Sequence, residues 1–148
     1  MGCDIHGRVE CRSGSGAWEY DEDEWDCAIN LDLLYMGRGY ASFGCLFGVR
    51  NGWEFRPLAA DRGLPEDAST PTRREHGEWG PDAHSASWIT WAELEAADWD
   101  ERGGSDEAPT RREAAWEDER WAPVWSVMRT LAGLYGADDV RLVVWFDN

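Results

Sequence analysis

Positive charge is scarce in this sequence, and lysine is absent from it. Fourteen arginines stand against 30 aspartates and glutamates, which gives a formal net charge of −16 at pH 7. The electrostatic field of such a chain repels nucleic-acid phosphates and membranes rich in anionic lipid. The charge balance therefore argues against a DNA- or RNA-binding protein with a basic patch. It is typical either of a highly soluble protein or of one that imitates DNA and occupies a basic groove on another protein.

Long apolar runs are missing as well. No segment approaches the roughly 20 apolar residues that a membrane-spanning helix needs. No apolar stretch of about 7 to 15 residues follows the start, as it would in a secretory leader. We therefore expect a cytoplasmic protein, and in a reducing cytoplasm Cys3, Cys11, Cys27 and Cys45 should be free thiols.

Two catalytic signatures are also absent. No glycine-rich loop leads from a strand into a helix, so the common nucleotide-binding folds are not indicated. Ser85 together with His6 or His84 and an aspartate has the residue types of a nucleophilic triad. However, no Gly-x-Ser-x-Gly turn surrounds Ser85, so the sequence does not favour acyl transfer.

The start of the chain has the pattern of a strand with two different faces. Four apolar residues alternate with five polar ones: Cys3, Ile5, Val9 and Cys11 against Asp4, His6, Arg8, Glu10 and Arg12. Asp4 and His6 share the polar face two residues apart, where an imidazole and a carboxylate can meet one ligand. This face is the first candidate site.

Periodicity and capping signals predict several helices. The apolar spacing of residues 40–49 favours a short helix that ends near Gly48. Two capping boxes, Thr90 with Glu93 and Thr110 with Glu113, predict helices from Trp91 to about Ala97 and from about residue 111 towards Trp121. Apolar residues at helical spacing predict the longest helix, beyond a break at Pro123 and ended by Gly136: Trp121, Val124, Trp125, Met128, Leu131, Ala132 and Tyr135.

The last residues of the sequence predict a strand at the centre of a sheet. Residues 140–146 are apolar on nearly both faces, as in a strand covered on both sides, and the first strand is the expected neighbour. That pairing would bring Asp147 close to Asp4 and His6. Ser13–Gly16 predicts a turn into a short partner strand at Ala17–Tyr20.

The region between these elements lacks periodicity. Residues 53–87 are rich in Gly, Pro, Asp and Ser and predict a long loop, which the apolar side chains within it should hold in place. The whole chain fits one α+β domain. We expect a small mixed or antiparallel sheet with the N- and C-terminal strands central, two to four helices and a long ordered loop.

Four blocks of sequence follow one another along the chain, namely Met1–His6, Arg62–Pro65, His84–Thr90 and Val140–Asn148. Taken together, they resemble a family of small, functionally uncharacterised proteins found mostly in bacteriophage genomes and prophages. The resemblance spans the whole chain and implies a role in the cytoplasm of an infected host. One departure stands at Arg38–Phe43, where such proteins resemble Arg-Asn-Tyr-Asp-Leu-Phe and this chain has Ala41 in place of the aspartate.

Three interpretations of the polar residues remain open. Asp4 and His6, joined by His84, Asp82 or Asp147, have the composition of a divalent transition-metal site with open positions. Alternatively, His6 hydrogen-bonds Asp4 or the loop that carries His84 and Ser85, with no ligand at all. The third is a metal-free pocket for a small anion, formed by His6, His84 and Ser85 with Arg50 or Arg62, and with Trp88 or Trp91 as a stacking wall.

Taken together, these features predict a phage-type intracellular accessory protein that binds a small polar ligand or a metal at an Asp/His site. Sequestration or cleavage of a host nucleotide signal would be one use of such a site. The alternative is an acidic, DNA-mimic-like protein that inhibits a host nucleic-acid-binding protein without touching nucleic acid or membrane itself. Some of the 11 tryptophans are expected at a ligand or partner surface.

Overall fold

Four strands form one antiparallel sheet. The computed structural model describes residues 2–13 and 23–148, and the sheet order is β2-β1-β4-β3. The strands are β1 (Asp4–Cys11), β2 (Asp26–Asn30), β3 (His84–Thr90) and β4 (Val140–Asp147). The predicted α+β class is confirmed, and the first and last strands are the central pair. The predicted partner strand Ala17–Tyr20 lies outside the described residues.

In residues 2–13 and 23–148, four α-helices accompany the sheet, together with a π-helical turn and short 3-10 turns. The helices are α1 (Tyr40–Phe47), α2 (Thr70–Trp79), α3 (Trp91–Ala96) and α4 (Ala122–Tyr135), and the π-helical turn spans Arg112–Trp116. Gly48 ends α1 in the left-handed conformation, at a φ of 73°, as the sequence predicts. The Thr90–Glu93 capping box begins α3, and Pro123 lies in the first turn of α4, where its missing N–H costs nothing.

One face of the sheet packs on α1, α3 and α4 and forms the main core. The core side chains of β1 and β4 are paired by the register, with Ile5 opposite Phe146 and Val9 opposite Leu142. Phe146 contacts Phe43 and Phe47 of α1 at ring-centroid distances of 5.2 and 6.0 Å. The amphipathic pattern of α4 is confirmed, since the buried residues of this helix are Val124, Trp125 and Met128.

The other face of the sheet is covered by α2, in a region where the sequence predicted only loop. This helix has low hydrophobicity, and Thr72 is its one buried residue. Its first turn is held by the fully buried Glu10 of β1, whose carboxylate accepts hydrogen bonds from Ser69 N and Thr72 Oγ1 at 2.8 and 2.7 Å. The loop prediction was wrong because distant partners stabilise this helix, and local periodicity does not record them.

Strand β3 was also missed within the same predicted loop. Its sequence, HSASWIT, is mostly polar, and among the described residues it pairs with one strand, β4. An edge strand needs no continuous apolar run, so its sequence resembles a loop. The helix that follows the second capping box ends at Trp116, short of the predicted Trp121.

Candidate functional site

His6 lies between two carboxylates at the end of the central strand pair. Its Nε2 atom is 2.8 Å from Asp147 Oδ1, and its Nδ1 atom is 4.0 Å from Asp32 Oδ1. The Trp79 ring at the end of α2 covers the imidazole, with centroids 4.2 Å apart and an interplanar angle of 31°. The His6 side chain is 13% exposed, so the imidazole is mostly enclosed but remains open to a small molecule.

The strand register explains the contact with Asp147. Asp4 pairs with Asp147 and His6 with Trp145 in the antiparallel β1–β4 ladder. Asp147 and His6 therefore point to the same face of the sheet, as the sequence predicted. Asp147 lies two residues after Trp145, the residue that pairs with His6. An ionised carboxylate only accepts hydrogen bonds, so the imidazole donates its Nε2–H to Asp147.

The loop after β2 supplies the opposite wall. Asn30 caps the turn at its start by accepting a hydrogen bond from Asp32 N at 2.9 Å, and the buried Leu31 anchors the turn in the core. Tyr35 is also buried, and its hydroxyl accepts a hydrogen bond from Gly39 N at 2.9 Å. These contacts fix Asp32 next to His6.

A cavity of about 240 Å³ opens between the strand and this loop. Its lining residues are Asp4, Ile5, His6, Asp32, Tyr35, Met36 and Gly37. We call it the His6 cavity. On the loop side, its rim includes the apolar residue Met36, which is 92% exposed.

Asp4 forms an ion pair with Arg38. Arg38 Nε and Nη2 donate to the two carboxylate oxygens of Asp4 at 2.7 and 3.1 Å. The hydrogen bond from Arg38 lowers the pKa of Asp4 below its ordinary value. The carboxylates that line the cavity are those of Asp4 and Asp32, and Arg38, which lies outside the lining, offsets the charge of Asp4.

The structure does not bring the three predicted metal ligands Asp4, His6 and His84 together. His84 pairs with Phe146, which lies on the core face, whereas His6 pairs with Trp145 on the opposite face. Strand β4 also separates the two histidine-bearing strands. Within residues 2–13 and 23–148, no group of three or more His, Cys, Asp or Glu is arranged to hold a metal ion.

His84 and Ser85 form a separate pair on β3. His84 Nδ1 lies 2.9 Å from Ser85 Oγ, and His84 Nε2 lies 3.2 Å from Asn148 Oδ1. The third member of this chain of contacts is an amide, so the aspartate that a nucleophilic triad needs is not in place. Ser85 has a φ of 55°, within an irregularity of the β3–β4 ladder.

The two arginines that the sequence predicted to bind an anion, Arg50 and Arg62, contact other residues of the protein. Arg62 lies over the Trp88 ring at 4.8 Å and donates to Glu93 Oε1 at 2.9 Å. Arg50 lies over the Tyr40 ring at 5.3 Å. These contacts place Arg62 beside Trp88 and Glu93, and Arg50 beside Tyr40.

Sequence reasoning missed three residues of the His6 cavity and its surroundings. Asp32 is a lone acid in the apolar stretch Leu31–Leu34, and such an isolated charge is a usable signal. Tyr35 and Trp79 gave no signal of their own, because their positions depend on the folding of the loop and of α2.

Comparison with protein-family models, with curated proteins and with solved structures found no match to this chain. The resemblance to phage proteins therefore stays a prediction. In the described part of the chain, no helix combines the length and apolar character that crossing a bilayer requires.

Proposed function

We propose that the His6 cavity binds a small organic cation that carries hydrogen-bond donors, such as a primary ammonium group. The observation that carries this proposal is the position of the His6 imidazole between Asp147 and Asp32, with Asp4 on the same cavity wall. Asp4 and Asp32 line the cavity and Asp147 holds its imidazole, and Arg38 offsets the charge of Asp4 alone. The remaining negative charge favours a positive ligand and opposes a phosphate. The site thus keeps the predicted Asp/His character and gains a preferred sign of ligand charge.

The hydrogen bonding of His6 supports a donor-bearing ligand. Because Nε2–H is given to Asp147, Nδ1 is the ring nitrogen that faces Asp32, and without a proton it accepts a hydrogen bond there. An ammonium group placed between Nδ1 and the Asp32 carboxylate would donate to both. Its third N–H would remain available for Asp4 or water.

The size and rim of the cavity limit the ligand further. About 240 Å³ is below the roughly 300 to 1,000 Å³ of drug-sized pockets, so the ligand is a small molecule or one end of a larger one. The exposed Met36 offers apolar contact beside the acidic groups. An alkylammonium ion therefore fits better than a bare inorganic cation.

The biological setting we propose is that implied by the resemblance, a phage-type accessory protein in an infected host. In that setting the protein would sequester its ligand, with His6 as the hydrogen-bond acceptor. This setting has the sequence resemblance as its support.

A calorimetric titration tests the proposal. Ethylammonium and putrescine should bind the wild-type protein, whereas acetate and ethyl phosphate should not. Asp32→Asn and His6→Gln should each weaken alkylammonium binding about tenfold, since each removes a hydrogen bond that involves a charged group. His84→Gln serves as the matched control, because His84 lies on the other sheet face and should leave the affinity unchanged.

Two results would overturn the proposal. One is the absence of saturable alkylammonium binding to the folded wild-type protein. The other is binding that Asp32→Asn and His6→Gln leave intact. Elemental analysis of the purified protein and of His6→Ala is a third test. A stoichiometric metal that is present in the wild type and absent from the variant would show that the cavity binds a metal ion and not an organic cation.

A further inference from the structure

A second cavity lies on the opposite side of the sheet from α2, among the helices of the main core. It measures about 440 Å³ and lies between α3, the π-helical turn and α4. Its lining residues are Trp91, Glu95, Trp99, Arg112, Trp116 and Arg129. We call it the Trp pocket. None of these residues belongs to the His6 cavity, so the two spaces are independent.

Three indole rings of the Trp pocket lie at similar inclinations. The Trp99 and Trp116 rings are stacked with centroids 4.6 Å apart, and Trp91 and Trp116 are stacked at 5.8 Å, both at an interplanar angle of 28°. The Trp99 ring is fixed by a hydrogen bond from its Nε1 to Leu94 O at 2.8 Å. A fixed array of aromatic faces next to open volume is a stacking surface for another planar ring.

The pocket is lined by two arginines and one glutamate, and the two arginines differ in their partners. Arg112 is already paired, with Asp100 at 2.9 Å and Glu117 at 3.9 Å. Arg129 lies 5.4 Å from the Trp91 ring centroid and forms no ion pair with a carboxylate of residues 2–13 or 23–148. At least ten of the 14 arginines contact a carboxylate, so Arg129 belongs to a minority in this acidic chain.

Packing alone accounts for part of this arrangement. Trp91 and Trp99 are 3% and 6% exposed, and both belong to the hydrophobic core. Packing does not account for the open volume beside the rings, nor for Arg129 at its edge. These two features distinguish the Trp pocket from the fully buried contact between Trp121 and Trp125.

We infer that the Trp pocket binds a planar aromatic or heteroaromatic molecule that carries an anionic group. The ring packs against Trp116, the least buried of the three indoles, and the anion lies at Arg129. The volume falls within the range of small-molecule sites. Two sources share this chemistry, namely a nucleoside monophosphate and an aromatic carboxylate.

Isothermal titration calorimetry with five probes separates the two requirements and the two sources. AMP and indole-3-acetate supply a planar ring with an anion, adenosine and indole supply the ring alone, and ribose 5-phosphate supplies the anion alone. We expect saturable binding of AMP, of indole-3-acetate or of both. The matching neutral ring should bind about tenfold more weakly, and ribose 5-phosphate should not bind detectably.

Variants assign that binding to the pocket. Arg129→Gln should reduce the affinity for the anionic ring about tenfold, to that of the neutral ring. Arg74→Gln is the matched control, because Arg74 is an exposed arginine of α2 that lies outside the Trp pocket. Trp116→Leu should weaken both ring types, and circular dichroism establishes that each variant remains folded.

The inference fails if neither anionic ring binds the wild-type protein. It also fails if Arg129→Gln and Arg74→Gln have the same effect, because the binding would then follow net charge and not the pocket. A loss of alkylammonium binding at the His6 cavity does not bear on this result, since no residue is shared between the two sites.

Discussion

Two residues on the polar face of β1 show how the contacts of a titratable side chain determine whether it can bind an external ligand. Glu10 is fully buried, and it is satisfied by Arg141 Nε at 2.9 Å together with the first turn of α2. His6, four residues before it on the same strand face, is paired with Asp147 and faces a cavity. Both are titratable groups on the same strand face, but Glu10 has all its partners inside the protein. The remaining capacity for an external ligand is therefore at His6.

The alternation of β1 was sufficient to predict part of this site. It placed Asp4 and His6 on one face, and the expected pairing with the last strand brought Asp147 to His6. It could not place His84, because the sheet face of a residue depends on the register of its own strand. A shift of one residue moves a side chain to the other face, and β3 was not recognised as a strand at all.

Cysteine reactivity is predicted to follow burial. The four cysteines are free thiols, as expected, and Cys45 is completely buried in α1. Burial raises the pKa of the Cys45 thiol to about 12. Only the thiolate reacts with iodoacetamide, so Cys45 should stay unmodified in the native protein at about pH 8, whereas the half-buried Cys27 should be modified first.

Peptide mapping by mass spectrometry after timed alkylation measures this order. In guanidinium chloride all four cysteines should react at similar rates, which serves as the control for intrinsic reactivity. Native labelling of Cys45 as fast as Cys27 would show that α1 opens more easily than its packing indicates.

At the scale of elements, the predictions succeeded where the stabilising contacts are local. Gly48 at the end of α1, the Thr90–Glu93 box of α3 and the apolar spacing of α4 are all signals within a few residues of the element they define. Helix α2 depends instead on Glu10, 59 residues away from Ser69 in sequence. Contacts of that separation exist only after the sheet has formed, so no window of sequence contains them.

The two capping boxes allow a matched test of one long-range ion pair. Glu93 closes the box with Thr90 and also binds Arg62. Glu113 makes the same box contacts with Thr110 without an arginine partner in the described part of the chain. Because Gln preserves a capping box, Glu93→Gln removes chiefly the ion pair. We expect it to destabilise the fold at neutral pH by about 0.5 to 1 kcal/mol more than Glu113→Gln, since both partners are partly exposed.

The difference should depend on pH in a defined direction. The hydrogen bond from Arg62 lowers the pKa of Glu93 below its ordinary value of 4.5. The ionised carboxylate therefore stabilises the fold above about pH 4.5, and this contribution is lost as the pH falls through the lowered pKa of the folded state. Urea unfolding of both variants and the wild type between about pH 7 and pH 3 measures the effect. A difference between the variants that stays constant over this range would contradict the assignment to the Arg62 pair.

At the scale of the whole molecule, the few arginines are mostly used for local ion pairs. At least ten of the 14 contact a carboxylate, including the buried pair of Arg141 with Glu10. These pairs neutralise the positive charge within the fold, so the excess of acidic groups determines the field outside it. The alternative function predicted from the sequence depends on this excess of negative charge. In that alternative, the acidic protein occupies the basic groove of a nucleic-acid-binding protein.

Competition by DNA distinguishes this alternative from ligand binding at His6. If the acidic surface imitates DNA, bacterial proteins retained on the immobilised chain should be released by duplex DNA and not by a neutral polymer. Asp98→Asn, Asp106→Asn and Glu107→Gln, combined in one variant, remove three exposed charges that form no ion pair in the described part of the chain, and should weaken retention several-fold. His6→Gln should retain the same proteins as the wild type, because it leaves this surface intact. Retention that DNA does not reverse would exclude the mimic, since a partner whose groove is occupied by a DNA-like surface must exchange that surface for DNA.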